Sequence, residues 1–156
     1  YELLHQGLKK RVEFHTDLAK LPKLSELRND MEKDERILLV LDDYMMELSR
    51  FPNVNDYFIY GRKKNITLFC LAQSYYTVPK VVRQQVTYLL LFKITQKRDI
   101  NLILSEYDNK DKELLSIYKT ITNEPLQFMK ICCFCSTGDD TKKIARNFTE
   151  YIEFII

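Results

Sequence analysis

The sequence predicts an α/β fold with a mainly parallel sheet flanked by helices, and three observations carry that expectation. Residues 37–41, 66–72 and 86–94 are apolar runs rich in strand formers, each bounded by polar or turn-forming residues. Runs of that length without alternation read as strands buried on both faces, as in a parallel sheet. The segments between them carry apolar residues at helical spacing, which is the βα arrangement that places helices on the faces of such a sheet. The chain has 156 residues, 46% of them hydrophobic, with only three Gly and four Pro, so it can bury a sizeable core and reads as a single domain over 1–156.

In order along the chain, Leu3, Leu4 and Leu8 define a short helix over residues 1–10, and Val12 and Phe14 alternate with polar neighbours as an edge strand before Asp17. Leu21-Pro22-Lys23-Leu24 makes a turn, and Leu24, Leu27 and Met31 line one face of a short helix that gives way to the charged loop 32–36. After the first buried strand, residues 44–50 form a helix that Phe51-Pro52-Asn53 breaks. A second helix over 54–61 carries Tyr57, Phe58 and Tyr60 and stops at Gly61, before Arg62, Lys63 and Lys64. The strand 66–72 runs directly into Gln73-Ser74, and Pro79 opens a helix carrying Lys80 and Arg83. Beyond the strand 86–94, helices over 97–107 and 111–121 are amphipathic, with Ile100, Ile103 and Leu104, then Leu114, Leu115 and Tyr118, facing inward. Asn123-Glu124-Pro125 turns into a last strand over 126–135, and a loop at 136–140 leads to a closing helix over 141–154.

A net charge of +2 gives no global commitment to nucleic acid, so local clusters of cations must carry any such reading. The longest apolar runs, such as residues 88–92, fall far short of the roughly 20 residues of a membrane span, and no membrane-spanning segment is expected. The chain starts at Tyr1 without the features of a signal peptide, and it reads as a portion of something longer. Cys132, Cys133 and Cys135 lie on one expected strand, where adjacent side chains point to opposite faces. One tetrahedral zinc site is hard to build from them, and with Cys70 they read as small buried thiols of a reduced intracellular protein. His5 and His15 have no ligand-like neighbours in sequence and read as ordinary histidines.

Chemistry concentrates at the strand ends. Arg36-Ile-Leu-Leu-Val-Leu-Asp42-Asp43 closes a buried strand on two carboxylates, the layout of a Walker B element, in which one acid holds a nucleotide's Mg²⁺ through water and the next activates the attacking water. A polar strand end running into an acidic turn is the alternative. Gln73, at the end of another strand, can orient a water or sense a γ-phosphate, or else hydrogen-bond a loop. Arg62, Lys63 and Lys64 either serve a function or simply cap and solvate a helix end.

Together these elements resemble the DNA-packaging ATPases of large DNA viruses, virophages and self-synthesising Polinton transposons, the poxvirus-type branch of the FtsK/HerA superfamily of P-loop NTPases. The family pattern is an apolar strand ending in Asp-Asp, Gly-Arg-His, an apolar strand, Gln-Ser, Val-Pro and Arg. Residues 37–93 match it closely, with Lys63 standing where the family often has His. The resemblance implies a RecA-like core, Asp42 as the Mg²⁺-associated carboxylate, Asp43 as the acid that activates water, and Gln73 as the γ-phosphate sensor. It implies Arg62 as an arginine finger, with Arg83 as a second candidate, and ATP and Mg²⁺ as the cofactors. It further implies double-stranded DNA as substrate, a homo-oligomeric ring, a capsid portal or vertex as partner, and action at the site of virus assembly in the host cytoplasm or nucleus. Lys63, Lys64, Lys97 and Arg98 are candidate DNA contacts that would meet phosphates without sequence preference.

No Gly-x-x-x-x-Gly-Lys-Ser/Thr loop occurs in the sequence, whose glycines are Gly7, Gly61 and Gly138. In the family this loop, its strand and its helix precede the position of Tyr1, so the expectation is a core lacking its N-terminal strand and P-loop, with apolar sheet surface left exposed. A truncated, non-catalytic homologue that binds DNA or a partner subunit is one alternative, and a related cellular helicase or DNA pump is another.

Overall fold

The computed structural model describes residues 12–28, 36–44, 47–107, 113–134 and 143–152. The helix expected over 1–10, the charged stretch 32–35, Cys135 and the loop 136–140 lie outside the described residues. The chain is a mixed α/β structure of two compact units, Tyr1–Cys70 and Leu71–Ile156.

In the first unit, β1 (Ile37–Asp42) pairs in parallel with β2 (Ile66–Leu71), and α1 (Pro52–Tyr60) intervenes in sequence. Leu24, Tyr57 and Ile66 form the core, with Leu27, Ile37, Leu39 and Leu68 packed against it. The two strands were expected to be buried on both faces, and the structure corrects this. Alternate residues point inward, while Leu38, Val40, Phe69 and Leu71 stand 58%, 49%, 55% and 51% exposed. A pleated strand that packs on one side only must show its other side to solvent, however apolar the sequence. Residues 12–14 adopt no regular structure, so the expected edge strand is absent there.

The entry to β2 is tightly packed. Gly61 begins a 3-10 turn over Gly61–Lys64, and a Cβ added to it would lie 3.2 Å from Leu68 Cδ1 and 3.4 Å from Ile66 Cβ. Asn65 ends the turn at φ 57°, a left-handed conformation that Asn tolerates, and its carbonyl accepts from Ile37 N at 3.1 Å. Sequence thus sets the start of β2 beside the start of β1.

The second unit contains α2 (Lys80–Arg83), β3 (Tyr88–Leu91), α3 (Lys97–Tyr107), α4 (Glu113–Ile121), β4 (Met129–Cys132), β5 (Ile144–Arg146) and β6 (Glu150–Tyr151). The strands form an antiparallel sheet in the order β3-β4-β5-β6, with Leu89 opposite Ile131 and Leu91 opposite Met129. Leu91, Met129, Ile131 and Ile144 pack with Ile103 of α3 and Leu114, Tyr118 and Ile121 of α4. Tyr118 Oη donates to Phe92 O at 3.0 Å and accepts from Ile94 N at 2.6 Å, pairing the backbone where β3 ends.

Two expectations are overturned here. β3 was expected to extend a mainly parallel sheet, and it instead pairs antiparallel with β4, because an apolar run specifies burial without specifying strand direction. The closing helix over 141–154 is replaced, over residues 143–152, by the β5-β6 hairpin. Its turn passes through Asn147 at φ 54°, whose side chain accepts from Phe128 N at 3.3 Å and donates to Gln127 Oε1 at 2.5 Å. Those bonds hold a turn conformation that a helix cannot contain. Cys132 is disulfide-bonded and Cys70 is exposed, so the reading of these two as buried reduced thiols is corrected, while Cys133 is a free, half-buried thiol. Cys132 closes β4 and is half-buried, whereas the three strand residues before it are buried. No helix among the described residues is long and apolar enough to cross a membrane.

Replacing Gly61 by Val forces two methyls into Leu68 and Ile66 and is expected to lower the unfolding free energy by about 1–3 kcal/mol. A urea midpoint unchanged from the wild type would show that the turn does not press on β2.

Candidate functional site

β1 carries its charge at its exit. Leu41 is 3% exposed, and the next two residues, Asp42 and Asp43, are exposed. Asp43 has φ 61°, in the left-handed region that Asp enters more readily than most non-glycine residues. The backbone therefore turns as soon as the core ends, and both carboxylates stay out of a low-dielectric interior where desolvation would penalise them. Among the described residues no group of three His, Cys, Asp or Glu could cage a metal. Nucleotide-borne Mg²⁺ needs only one or two protein carboxylates besides phosphates and waters, and the Asp42-Asp43 pair fits that requirement.

Arg62, Lys63 and Lys64 lie at the opposite edge of the strand pair. Their turn enters β2 where Asn65 meets Ile37, whereas the two aspartates follow the last residues of β1. Six residues at about 3.3 Å each separate the edges by roughly 20 Å, beyond the reach of an arginine side chain. Arg62 and Lys63 are exposed, while Lys64 Nζ donates to Leu24 O at 2.8 Å. Lys23, Lys63 and Lys64 line an open pocket with Asn53, Asp56 and Tyr60.

In the second unit, Gln73 is exposed at the start of a braced turn. Asp99, in the first turn of α3 and 1% exposed, holds the residues that follow it. Asp99 Oδ1 accepts from Ser74 Oγ at 3.0 Å and Tyr76 N at 2.9 Å, and Oδ2 accepts from Tyr75 N at 3.2 Å. Arg83 secures the other side. Its Nε donates to Val78 O at 3.1 Å, Nη1 is paired with Glu106, and the guanidinium lies 5.3 Å from the Tyr75 ring centroid. With 13% of its side chain exposed, Arg83 is committed to the fold of this turn. Tyr75 Oη donates to Glu106 Oε2 at 2.6 Å and meets Tyr107 Oη at 3.2 Å. Burial pushes the Tyr107 phenol up from 10.0 to about 12, and burial followed by the bonds to Glu106 and Tyr107 raises Tyr75 as well.

Lys97 and Arg98 are exposed in the first turn of α3, and the Arg98 guanidinium lies 3.2 Å from the Tyr76 ring centroid. Asp42, Asp43 and Arg62 belong to the first unit, and Gln73, Arg83, Lys97 and Arg98 to the second. Asp99, Glu106 and Tyr75 escaped the sequence reading. An acid in a first helical turn reads as ordinary capping, and nothing in the sequence points it at a turn 23–25 positions earlier.

These features describe a mixed α/β protein with an acidic strand exit and separate cationic turns. A family model described as Poxvirus A32 protein matches residues 8–148. The chain belongs to that family, a family of viral DNA-packaging ATPases. No curated protein and no solved structure matches significantly.

The raised phenols give a defined alkaline behaviour. Folding holds the Tyr107 proton more tightly than the unfolded chain does, so its contribution is complete below pH 10.0 and is lost as the pH rises toward about 12. Tyr107→Phe is expected to flatten that alkaline fall in unfolding free energy, measured by denaturant titration across the interval. An unchanged slope would place Tyr107 in solvent.

Proposed function

We propose that this chain is the later part of a RecA-like ATPase core of the FtsK/HerA superfamily, and that the native protein couples ATP hydrolysis to translocation of double-stranded DNA into a viral-type capsid. Membership of the A32 family together with two exposed carboxylates at the exit of a parallel strand carries the reading. The exposed face of Leu38, Val40, Phe69 and Leu71 supports it, since an apolar sheet face of this kind suits packing against further parts of a core.

Asp42 would hold Mg²⁺ through water, and the metal would neutralise phosphate charge. Asp43 takes the proton of the attacking water, and Gln73 keeps the role of polar γ-phosphate sensor that the family pattern implies. Arg62 is the better arginine finger, because it sits across the length of β1 from its own aspartates and so is suited to a neighbouring subunit's nucleotide in a homo-oligomeric ring. Arg83 instead braces the Gln73 turn. Lys63, Lys97 and Arg98 meet DNA phosphates without reading sequence, and Lys64 contributes charge while anchored to Leu24. The ring would dock on a capsid portal or vertex at the site of virus assembly in the host cytoplasm or nucleus.

In the native protein, Asp43→Asn is expected to reduce DNA-stimulated ATP hydrolysis by about 10³-fold or more while leaving ATP binding within about threefold, measured by phosphate release and nucleotide titration. Retained hydrolysis would remove Asp43 from the catalytic role.

A further inference from the structure

Asp99 is the most enclosed carboxylate among the described residues, at 1% exposure, and no step of the proposed reaction uses it. Its position is unusual in what it joins. On one side it accepts from Ser74 Oγ, Tyr75 N and Tyr76 N, the three residues that directly follow Gln73. On the other it is covalently next to Arg98 and two residues from Lys97, both exposed on the same first turn of α3. Arg98 touches the braced turn a second time, through the ring of Tyr76 at 3.2 Å.

Two cations in the first turn oppose the helix macrodipole, so local helix energetics do not favour them there. Their exposure suits an external anion. A phosphate that engages Lys97 and Arg98 pulls on the start of α3 and on the Tyr76 ring together. Asp99 cannot let go of its donors without leaving a buried carboxylate and two buried or half-buried N–H groups unpaired, so displacement of the helix start is passed to residues 74–76 and hence to Gln73.

We propose that Asp99 is a positioning residue that couples DNA-phosphate contact at Lys97 and Arg98 to the γ-phosphate-reading geometry of Gln73. This rests on the assignment of Gln73 and of the two cations made above. Asn at position 99 keeps an acceptor for Ser74 and Tyr76 but turns an NH₂ group toward Tyr75 N, donor against donor, which breaks one arm of the brace at nearly constant volume.

The test measures ATP hydrolysis by the native protein with and without double-stranded DNA for the wild type, Asp99→Asn, Ser74→Ala and Gln73→Ala, together with thermal stability and DNA affinity. For Asp99→Asn the ratio of DNA-stimulated to basal rate is expected to fall about fivefold or more, with KM for ATP and Kd for DNA within about twofold of wild type. Ser74→Ala, which removes one hydrogen bond and folds more safely, is expected to lower the ratio about twofold. If both variants lose rate only in step with lost stability, and the ratio is unchanged, Asp99 is a structural brace and the coupling is overturned. If Gln73→Ala keeps full stimulated hydrolysis, the assignment of Gln73 fails and takes the coupling with it. If Gln73→Ala is inactive while the other two stimulate normally, only the coupling fails.

Discussion

A carboxylate leaves water at a high cost unless donors meet it, and that constraint sorts the acids of this chain into two roles. Asp99 is enclosed and accepts from a hydroxyl and two backbone N–H groups, so it fixes a turn against the start of a helix. Asp42 and Asp43 are held outside the core by a strand that ends at Leu41 and a backbone that turns left-handed at once. One acid is committed to architecture, and two stay exposed at the strand exit where the metal-nucleotide site is proposed. The same logic separates the arginines: Arg83 is enclosed between Val78 O, Glu106 and Tyr75, whereas Arg62 is exposed on the turn that enters β2.

Within the first unit, parallel pairing turns sequence order into a spatial separation. The starts of β1 and β2 are tied by the bond from Ile37 N to Asn65 O, so the basic turn and the acidic exit fall at opposite edges. Gly61 makes the close approach possible, since any side chain there would meet Leu68 and Ile66. A cation so placed lies out of reach of the carboxylates of its own unit, which is why Arg62 is proposed to serve a neighbouring subunit's nucleotide.

Much of this was legible in the sequence where local pattern decides structure. The helix over 97–107 follows from the spacing of Ile100, Ile103 and Leu104, and the strand ending at Asp42 from its apolar run. What failed depended on partners far along the chain. The run at β3 could not reveal that its neighbour would be antiparallel β4, nor could Leu38 and Val40 reveal that one face of β1 would stand open. The segment 141–154 carried helix-capping residues at its start, yet Asn147, a residue at ease at positive φ, was the signal for the hairpin turn it contains. Asp99 was hidden because its function lies in three bonds to residues 74–76.

The claim that the β1 exit holds the metal of a bound nucleotide is most directly tested by paramagnetic relaxation in the native protein, with Mn²⁺ replacing Mg²⁺ alongside a non-hydrolysable ATP analogue. Amide signals of residues 41–44 should broaden strongly, and Asp42→Asn should abolish that broadening. Broadening confined to other segments, or unchanged in Asp42→Asn, would contradict the assignment of this strand end as the metal-nucleotide site.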